Sequence, residues 1–303
     1  MANITGEGNF TSELTLAGIT TLSAGVNGFF AAFNIFLAIT ASLGNALILV
    51  ALHKATFIYP PTKLFFRCLA VTDLCVGLFV QPVYATEIMS RTIKIDMNIL
   101  LTKNLRIASA WILCGVSSIT STGISVDRLL ALLLGLRYRH VVTLRRVRVV
   151  IICFWLIGVS CGALWVWRED ISFKVTFIFL SLGLFTAIFC YTSIHIKLRY
   201  YKTRVQDNAP QGQAHGRKIP LNIARYRKSV SSVLWVQLAL VACYAPWGIV
   251  VVLYVNEIES DVAWLVSETL VYLNSSLNPI LYCWTIRVVR RAVKDIIRQS
   301  TCS

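Results

Sequence analysis

"NSSLNPILYCW", residues Asn274–Trp284, lies inside an apolar stretch running from about Val262 to Ile286. That stretch is long enough to cross a bilayer, since a hydrocarbon core of about 30 Å takes about 20 helical residues. Yet its inner half carries two asparagines, two serines, a proline and a tyrosine. An inert anchor has no use for them. A span that bends, holds water or an ion, and moves does need them, because each polar group in hydrocarbon must find a partner.

The surrounding chain is built of similar segments. It has 303 residues, 56% hydrophobic and 14% charged, with a mean hydropathy of +0.68. That is too apolar for a soluble domain of this size. Uncharged runs cover Ile107–Val126, Val149–Trp167, Val175–Ile194 and Ser229–Asn256. Further spans lie within Gly28–Leu52, within Leu64–Thr86 (interrupted by Asp73) and within Val262–Ile286 (interrupted by Glu268). The expected fold is an all-α membrane protein, a seven-transmembrane helix bundle. Strand alternation is missing and the runs are about twice the length of a barrel strand. No internal repeat of the transporter kind is visible.

Charge placement orients the bundle. With the N-terminus outside, the large majority of the 29 Lys and Arg fall in cytoplasmic segments, and most of the 14 Asp and Glu fall outside. That is the positive-inside bias. It turns the net charge of +15 into a membrane feature, so nucleic acid is not expected as a partner. The basic clusters "RYRH…RRVR" (Arg137–Arg148), "RYRKS" (Arg225–Ser229) and "RVVRRAVKDIIR" (Arg287–Arg298) then face anionic lipid and a cytosolic partner. In the last of these, Val288, Val289, Ala292, Val293, Ile296 and Ile297 recur at helical spacing opposite Arg290, Arg291, Lys294 and Arg298. The spacing predicts a short amphipathic cytoplasmic helix on the inner leaflet. Three regions follow: an extracellular tail over 1–27, the transmembrane domain over 28–286, and a cytoplasmic helix and tail over 287–303. "MANITGEGNF" has no signal-peptide pattern, and Asn3 and Asn9 open glycosylation triplets. None of the nine cysteines falls in an expected outer loop, so no extracellular disulfide is expected, and Cys302 is a candidate for palmitoylation.

The intramembrane polar residues carry the functional expectation. A carboxylate at mid-bilayer costs about 2.5–3.5 kcal/mol even on the mild insertion scale, so Asp73 is expected to face other helices or trapped water. Asn274 and Asn278 share a helix face, with Ser275 beside them and Tyr282 a turn further in. Pro279 frees a helical carbonyl for these groups to satisfy. Asn45, Asp73, Ser117, Asn274, Ser275 and Asn278 together form an oxygen-rich set suited to water or a small monovalent cation such as sodium; each singly is also ordinary interhelical glue.

In this ordered series the chain resembles the rhodopsin-like G-protein-coupled receptors. The resemblance rests on "GN" (Asn45), "LAVTD" (Asp73), "DRL" (Asp127, Arg128), Trp155, Tyr191, "CYAP" (Pro246) and "NPILY" (Asn278, Pro279, Tyr282). It covers essentially the whole chain. "LRYRHVVTLRR", the stunted turn "REDISFK" and Gly183 in a proline-free fifth span look most like the melanocortin, lysophospholipid, cannabinoid and adenosine branch. The resemblance implies an extracellular ligand, a heterotrimeric G protein, a plasma-membrane location and no cofactor beyond a possible allosteric sodium ion at Asp73. It also implies that Asp127 holds Arg128 at rest, that Tyr191 and Tyr282 bridge behind the released arginine, and that Pro246 hinges the sixth span. The ligand pocket is expected between the third, fifth, sixth and seventh spans, walled by Ala110, Cys114, Tyr244, Trp247, Glu268 and Tyr272.

Departures narrow the chemistry. Ala110 stands where amine receptors carry an aspartate. Val83, Lys103 and Ile107 stand where melanocortin receptors carry acidic residues or their neighbours. The seventh span has no lysine to hold retinal. Glu268 either receives a cationic ligand or pairs internally with Lys103 or Arg106. Ile223–Ser229 holds no carboxylate to clamp Arg128, Leu129 follows it in place of tyrosine, and Tyr244 replaces a tryptophan. A weakened inactive clamp and measurable basal signalling are expected. Rival readings are a transporter, or a receptor-like scaffold without coupling. His53, His140, His195 and His215 show no metal-ligand spacing and no nucleophile–base pair suggests itself, which argues against an enzyme.

Overall fold

The computed structural model describes residues 5–54, 58–93, 99–207, 221–258 and 260–285, together with 290, 291, 293 and 298. Within them only the backbone is described over 5–23, 92, 99–101, 169–170, 198, 201–207, 221–236 and 285. The described residues are almost wholly helical. The helices are α1 (Thr5–Lys54), α2 (Pro60–Cys75), α3 (Gln81–Ile93), α4 (Ile99–Leu134), α5 (Tyr138–Val141), α6 (Leu144–Trp167), α7 (Glu169–Asp207), α8 (Leu221–Val255) and α9 (Asp261–Thr285). The second span is α2 and α3 joined through a π-helical turn, Val76–Val80. Seven rods result.

Six of them are long and apolar enough to cross a membrane by length and composition. The seventh, α9, is long enough but diluted by the asparagines and serines of its inner half. It spans because its polar side is turned inward: Asn274, Ser275, Ser276 and Asn278 are all buried, while Ile280 and Trp284 are exposed to the surroundings. The rods form a closed ring in chain order, α9 returning to pack on α1, with α4 central against α2, α6, α7 and α8.

Local sequence sets the breaks. Pro60 and Pro61 open α2 at N-terminal positions, where a missing N–H leaves nothing unsatisfied. Pro82 cannot donate, so the backbone ahead of it loosens. The Gln81 N–H reaches back to the Val76 carbonyl, one residue further than in an α-helix. Gly77 lies in that turn, and a Cβ there would meet Ser42 Oγ at 2.8 Å and Ala41 Cβ at 2.9 Å, so the bulge seats against α1. Gly135 ends α4 with φ +51°, a conformation cheap only for glycine. The Thr143 hydroxyl caps α6 by accepting from the Arg146 N–H.

Two expectations are corrected or left aside. Residues 5–27 were expected as a tail, but α1 begins at Thr5; the segment has no proline, so the hydrogen-bond ladder propagates outward from the span. Asn9 therefore sits on a helix, while Asn3 lies outside the described residues. The expected cytoplasmic helix over 287–303 also lies mostly outside them, as does Cys302; of its residues, Val293 is buried and Arg291 and Arg298 are exposed.

Two of the three apolar core clusters among the described residues lie on either side of a polar layer. Toward the Glu268 end, Ala31, Val76, Val80, Cys114, Leu265 and Tyr272 pack together. Toward the Arg128 end, Ile48, Phe65, Phe66, Leu69, Ile124 and Tyr282 do. In each of α1, α2, α4 and α9 the polar residue (Asn45, Asp73, Ser117, Asn278) lies between members of the two clusters. Small residues bring α6 onto α4: a Cβ on Gly158 would stand 2.5 Å from Val116 Cγ2 and 3.2 Å from the Ile112 carbonyl. Overpacking of this kind typically costs about 1–3 kcal/mol. Gly158→Leu is expected to destabilise the purified protein by that margin, read as a lowered Tm. Gly25→Leu, where a Cβ meets open space, is expected not to lower it.

Candidate functional site

Asp73 is fully buried and its carboxylate is saturated by neighbours. Ser117 Oγ and Ser275 Oγ donate to Oδ1 at 3.0 and 2.9 Å, and Asn278 Nδ2 donates to Oδ2 at 2.7 Å. Three donors from two other helices aim at one carboxylate, the arrangement an ionised group requires when no water surrounds it. Asn45 acts one step away. Pro279 has no N–H for the carbonyl four residues earlier, which is that of Ser275, and Asn45 Nδ2 donates to that carbonyl at 3.0 Å. Gly44 makes the approach possible, since a Cβ there would meet the Pro279 ring at 2.9 Å. Asn274 is buried in the same layer but does not bond Asp73.

The oxygens Asn45 Oδ1, Asn274 Oδ1, Asn278 Oδ1 and Tyr282 Oη are buried and make no hydrogen bond within the chain. One carboxylate, two hydroxyls and several free amide oxygens suit a monovalent cation. Among the described residues no three His, Cys, Asp or Glu side chains gather to hold a harder or softer metal.

At one end of the bundle a buried arginine ties three helices. Arg106 Nε donates to Glu87 Oε2 at 2.6 Å, and its NH1 reaches Tyr272 Oη at 3.0 Å and Glu268 Oε2 at 3.4 Å. Its guanidinium also lies 4.7 Å from the Tyr84 ring centroid. Arg91 holds the other oxygen of Glu87 at 2.8 Å. Of the two partners left open by the sequence, Arg106 rather than Lys103 pairs with Glu268. The tighter bond to Glu87 went unread, because spacing within a chain cannot show that positions on α3 and α4 face each other.

Beside this cluster is a cavity of about 110 Å³. All six residues expected to wall the pocket, Ala110, Cys114, Tyr244, Trp247, Glu268 and Tyr272, line it. It also extends further than expected, to Ile157, Gly158 and Cys161 of α6, because the small residues there leave room. Tyr244 Oη donates to the Cys114 carbonyl at 3.2 Å, tying α8 to α4 two residues before Pro246.

At the opposite end Asp127 is buried and triply engaged. Arg128 NH2 donates to Oδ2 at 2.5 Å, Thr62 Oγ1 donates to the same oxygen at 3.0 Å, and Tyr138 Oη donates to Oδ1 at 2.6 Å. Arg128 NH2 also donates to Thr62 Oγ1 at 2.7 Å. The expected clamp on Arg128 is thus present and reinforced from α2 and α5. A second restraint lies above it: Gln237 Nε2 of α8 donates to the Ser121 carbonyl at 2.8 Å and to Ser125 Oγ at 2.8 Å on α4. The expectation of a weakened inactive clamp rests on other residues, Ile223–Ser229, Leu129 and Tyr244. Side chains of Ile223–Ser229 lie outside the described residues.

Tyr191 does not stand behind Arg128. Cys190 and Ile194 face Leu129 across α4 and α7, and the helical turn carries Tyr191 away to 37% exposure with its ring 6.0 Å from His195. Tyr282 is buried edge-on to Phe66, 5.2 Å between centroids, so the two tyrosines are not brought together in this packing.

The sequence of the chain is similar to those of known proteins. The family described as 7 transmembrane receptor (rhodopsin family) matches residues 44–170 and 160–282. The chain belongs to this family. Melanocortin receptor 5 of Rattus norvegicus is 24% identical over 291 residues, covering 86% of this chain and 82% of the relative. An alpha-1A adrenergic receptor of Oryzias latipes is 24% identical over 307 residues, covering 84% and 63%. A muscarinic acetylcholine receptor of Caenorhabditis elegans is 33% identical over 127 residues, covering 42% and 20%. The rhodopsin-family chain is a multi-pass membrane G-protein-coupled receptor and not an enzyme, with an extracellular ligand and a heterotrimeric G protein as its partners.

Breaking a buried pair costs about 3–5 kcal/mol when one charge is left behind. Glu87→Gln, which removes the 2.6 Å ion pair and leaves Arg106 only the 3.4 Å ion pair to Glu268, is expected to lower stability by up to that order. Glu268→Gln, at 3.4 Å and with Glu87 still in place, should cost less than about 1 kcal/mol. Thermal denaturation of the two variants in the same detergent checks the ranking.

Proposed function

We propose that this receptor sits in the plasma membrane with its N-terminus and the Glu268 end outside, and that a ligand in the cavity drives G-protein activation by moving α8. The reading is carried by one observation: Tyr244, a wall of the cavity, is hydrogen-bonded to α4 beside the Pro246 break in α8. A ligand that fills the cavity competes with that bond. Pro246 leaves the Ala242 carbonyl without its helical donor, so α8 bends there at low cost. Bending pulls Gln237 from Ser121 and Ser125, and α8 then parts from α4 at the Arg128 end. Arg128, still beside Thr62, exchanges Asp127 for the G protein.

Cavity and partner need not touch. Each favours one of two packings of the same bundle, and the coupling is their differential affinity for the two. A sodium ion, if bound, would be held by Asp73 with Ser117, Ser275 and the free amide oxygens of Asn45, Asn274 and Asn278. It would supply positive charge that favours the packing in which these groups converge. The basic clusters Arg137–Arg148 and Arg287–Arg298 would lie against anionic lipid, each residue contributing about 1 kcal/mol at the surface.

Nucleotide exchange on a panel of heterotrimeric G proteins, with receptor in lipid nanodiscs, tests the proposal. The hydrogen bonds from Gln237 are worth about 1–1.5 kcal/mol in total at the least, so Gln237→Leu should raise ligand-independent exchange about tenfold. Asp127→Asn should raise it in the same direction. Basal exchange in both variants equal to that of the parent, at matched folded receptor, would sink the α8 mechanism.

A further inference from the structure

An aromatic layer lies over the cavity on the side from which an extracellular ligand would be expected to enter. Phe173, one turn into α7 and 7% exposed, has rings from four other helices around it. Between centroids, Trp165 stands at 5.4 Å, Tyr254 at 5.8 Å, Trp111 at 5.9 Å, Trp264 at 6.1 Å and Trp247 at 6.2 Å. Trp111 and Trp247 also line the cavity, so this aromatic roof rests directly upon it. The roof follows from a turn of one residue, Arg168, between α6 and α7. No loop can fold inward from so short a turn, and the start of α7 fills the space instead. On the other flank the Arg106 side chain, 2% exposed, is fixed between Glu87, Glu268 and Tyr272.

The wall toward the bilayer is different. Phe179 of α7 lines the cavity and is 40% exposed. Its neighbours in the lining, Leu180 of α7 and Ile157 and Cys161 of α6, are apolar. Phe179 is thus the exposed member of a lining that, on α6 and α7, carries one hydroxyl, Thr176, beside otherwise apolar groups.

Charge inside the cavity is confined to one end, at Arg106 and Glu268. The arginine is buried by its partners, while the Glu268 side chain is 25% exposed. Its bond to Arg106 is the long one, at 3.4 Å against 2.6 Å for Glu87. A ligand cation can therefore take Glu268 without stranding Arg106, which keeps Glu87. At about 110 Å³, the space is below the roughly 300 Å³ at which drug-sized pockets begin. It admits a small head and a few carbons.

Resting on the reading that this cavity is the ligand site, we infer that the ligand enters from the bilayer through the α6–α7 seam. It is a single-chain amphiphile whose small cationic head pairs with Glu268. Its tail lies along Phe179 in the seam. Opening the seam needs only a rotamer change of Phe179; opening the roof would unstack rings from five helices.

Cys114, which lines the cavity and is 7% exposed, reports the route. The full-length receptor in nanodiscs is treated with a bilayer-soluble thiol reagent, N-dodecylmaleimide, or with a water-soluble one, trimethylammonium-ethyl methanethiosulfonate. Modification of the Cys114 peptide is followed by mass spectrometry. Each reagent's rate is taken relative to its rate at a freely accessible thiol. The bilayer reagent is expected to be at least tenfold the faster on that scale, and Phe173→Ala is expected to admit the aqueous one. Equal relative rates in the parent protein would overturn the route. Should Cys114 be inert to both, Ala110→Cys gives a second reporter, and inertness there too would overturn it. Dodecylamine should slow the modification at least fivefold in the parent and not in Glu268→Gln. Absence of that protection, or equal protection by dodecanoate, would overturn the ligand class. No G protein takes part, so a failed exchange assay leaves this result standing, and labelling from water would leave the exchange mechanism standing.

Discussion

A carboxylate at the middle of a bilayer has to be surrounded by donors. Asp73 meets this demand through Ser117 of α4 and Ser275 and Asn278 of α9, and the need fixes how three helices approach. The fourth joins through the proline that would otherwise be a defect. Pro279 frees the Ser275 carbonyl, Asn45 of α1 takes it, and Gly44 clears the space for the proline ring. The polar layer is thus one connected object. Apolar clusters pack above and below it, and the bundle closes around it.

The same layer explains why a span as polar as α9 is stable in a membrane and also able to rearrange. In water a hydroxyl that loses its partner finds another at once. In hydrocarbon it does not, so the alternatives are a few discrete sets of partners, each complete. A bundle held this way has distinct packings rather than a continuum. Tyr282, with the amide oxygens of Asn45, Asn274 and Asn278, is among the buried groups that bond nothing within the chain, and Tyr191 is turned to the outside.

Much of this was legible in the sequence, and the limit of legibility is physical. Helices, their order and the polar layer were readable because burial in lipid leaves a one-dimensional mark: a polar residue in an apolar run must face inward. All six expected cavity residues do meet, as the resemblance to the receptor family implied. Partners across helices were not readable. Glu87 with Arg106, Thr62 and Tyr138 with Asp127, and Gln237 with Ser121 each join residues far apart in the chain, and each member alone resembles a surface polar group. Tyr138 hid in a basic cluster that topology already explained. The length of α1 was misjudged because composition marks where a helix is buried, not where its hydrogen bonds end. The aromatic roof was missed for the same reason as the ion pairs: its rings come from five segments, and none is unusual in its own.

The eight described cysteines are free and lie on the membrane-spanning helices. What fastens the Glu268 end of α4 is instead Arg106, held to α3 and α9 by charge and hydrogen bonds. Such a fastening forms as the chain packs, with no sulfur chemistry to complete afterwards. Production hosts without an oxidising secretory compartment therefore have every covalent bond this part of the fold requires, and reductants can be kept in the buffers from lysis through purification.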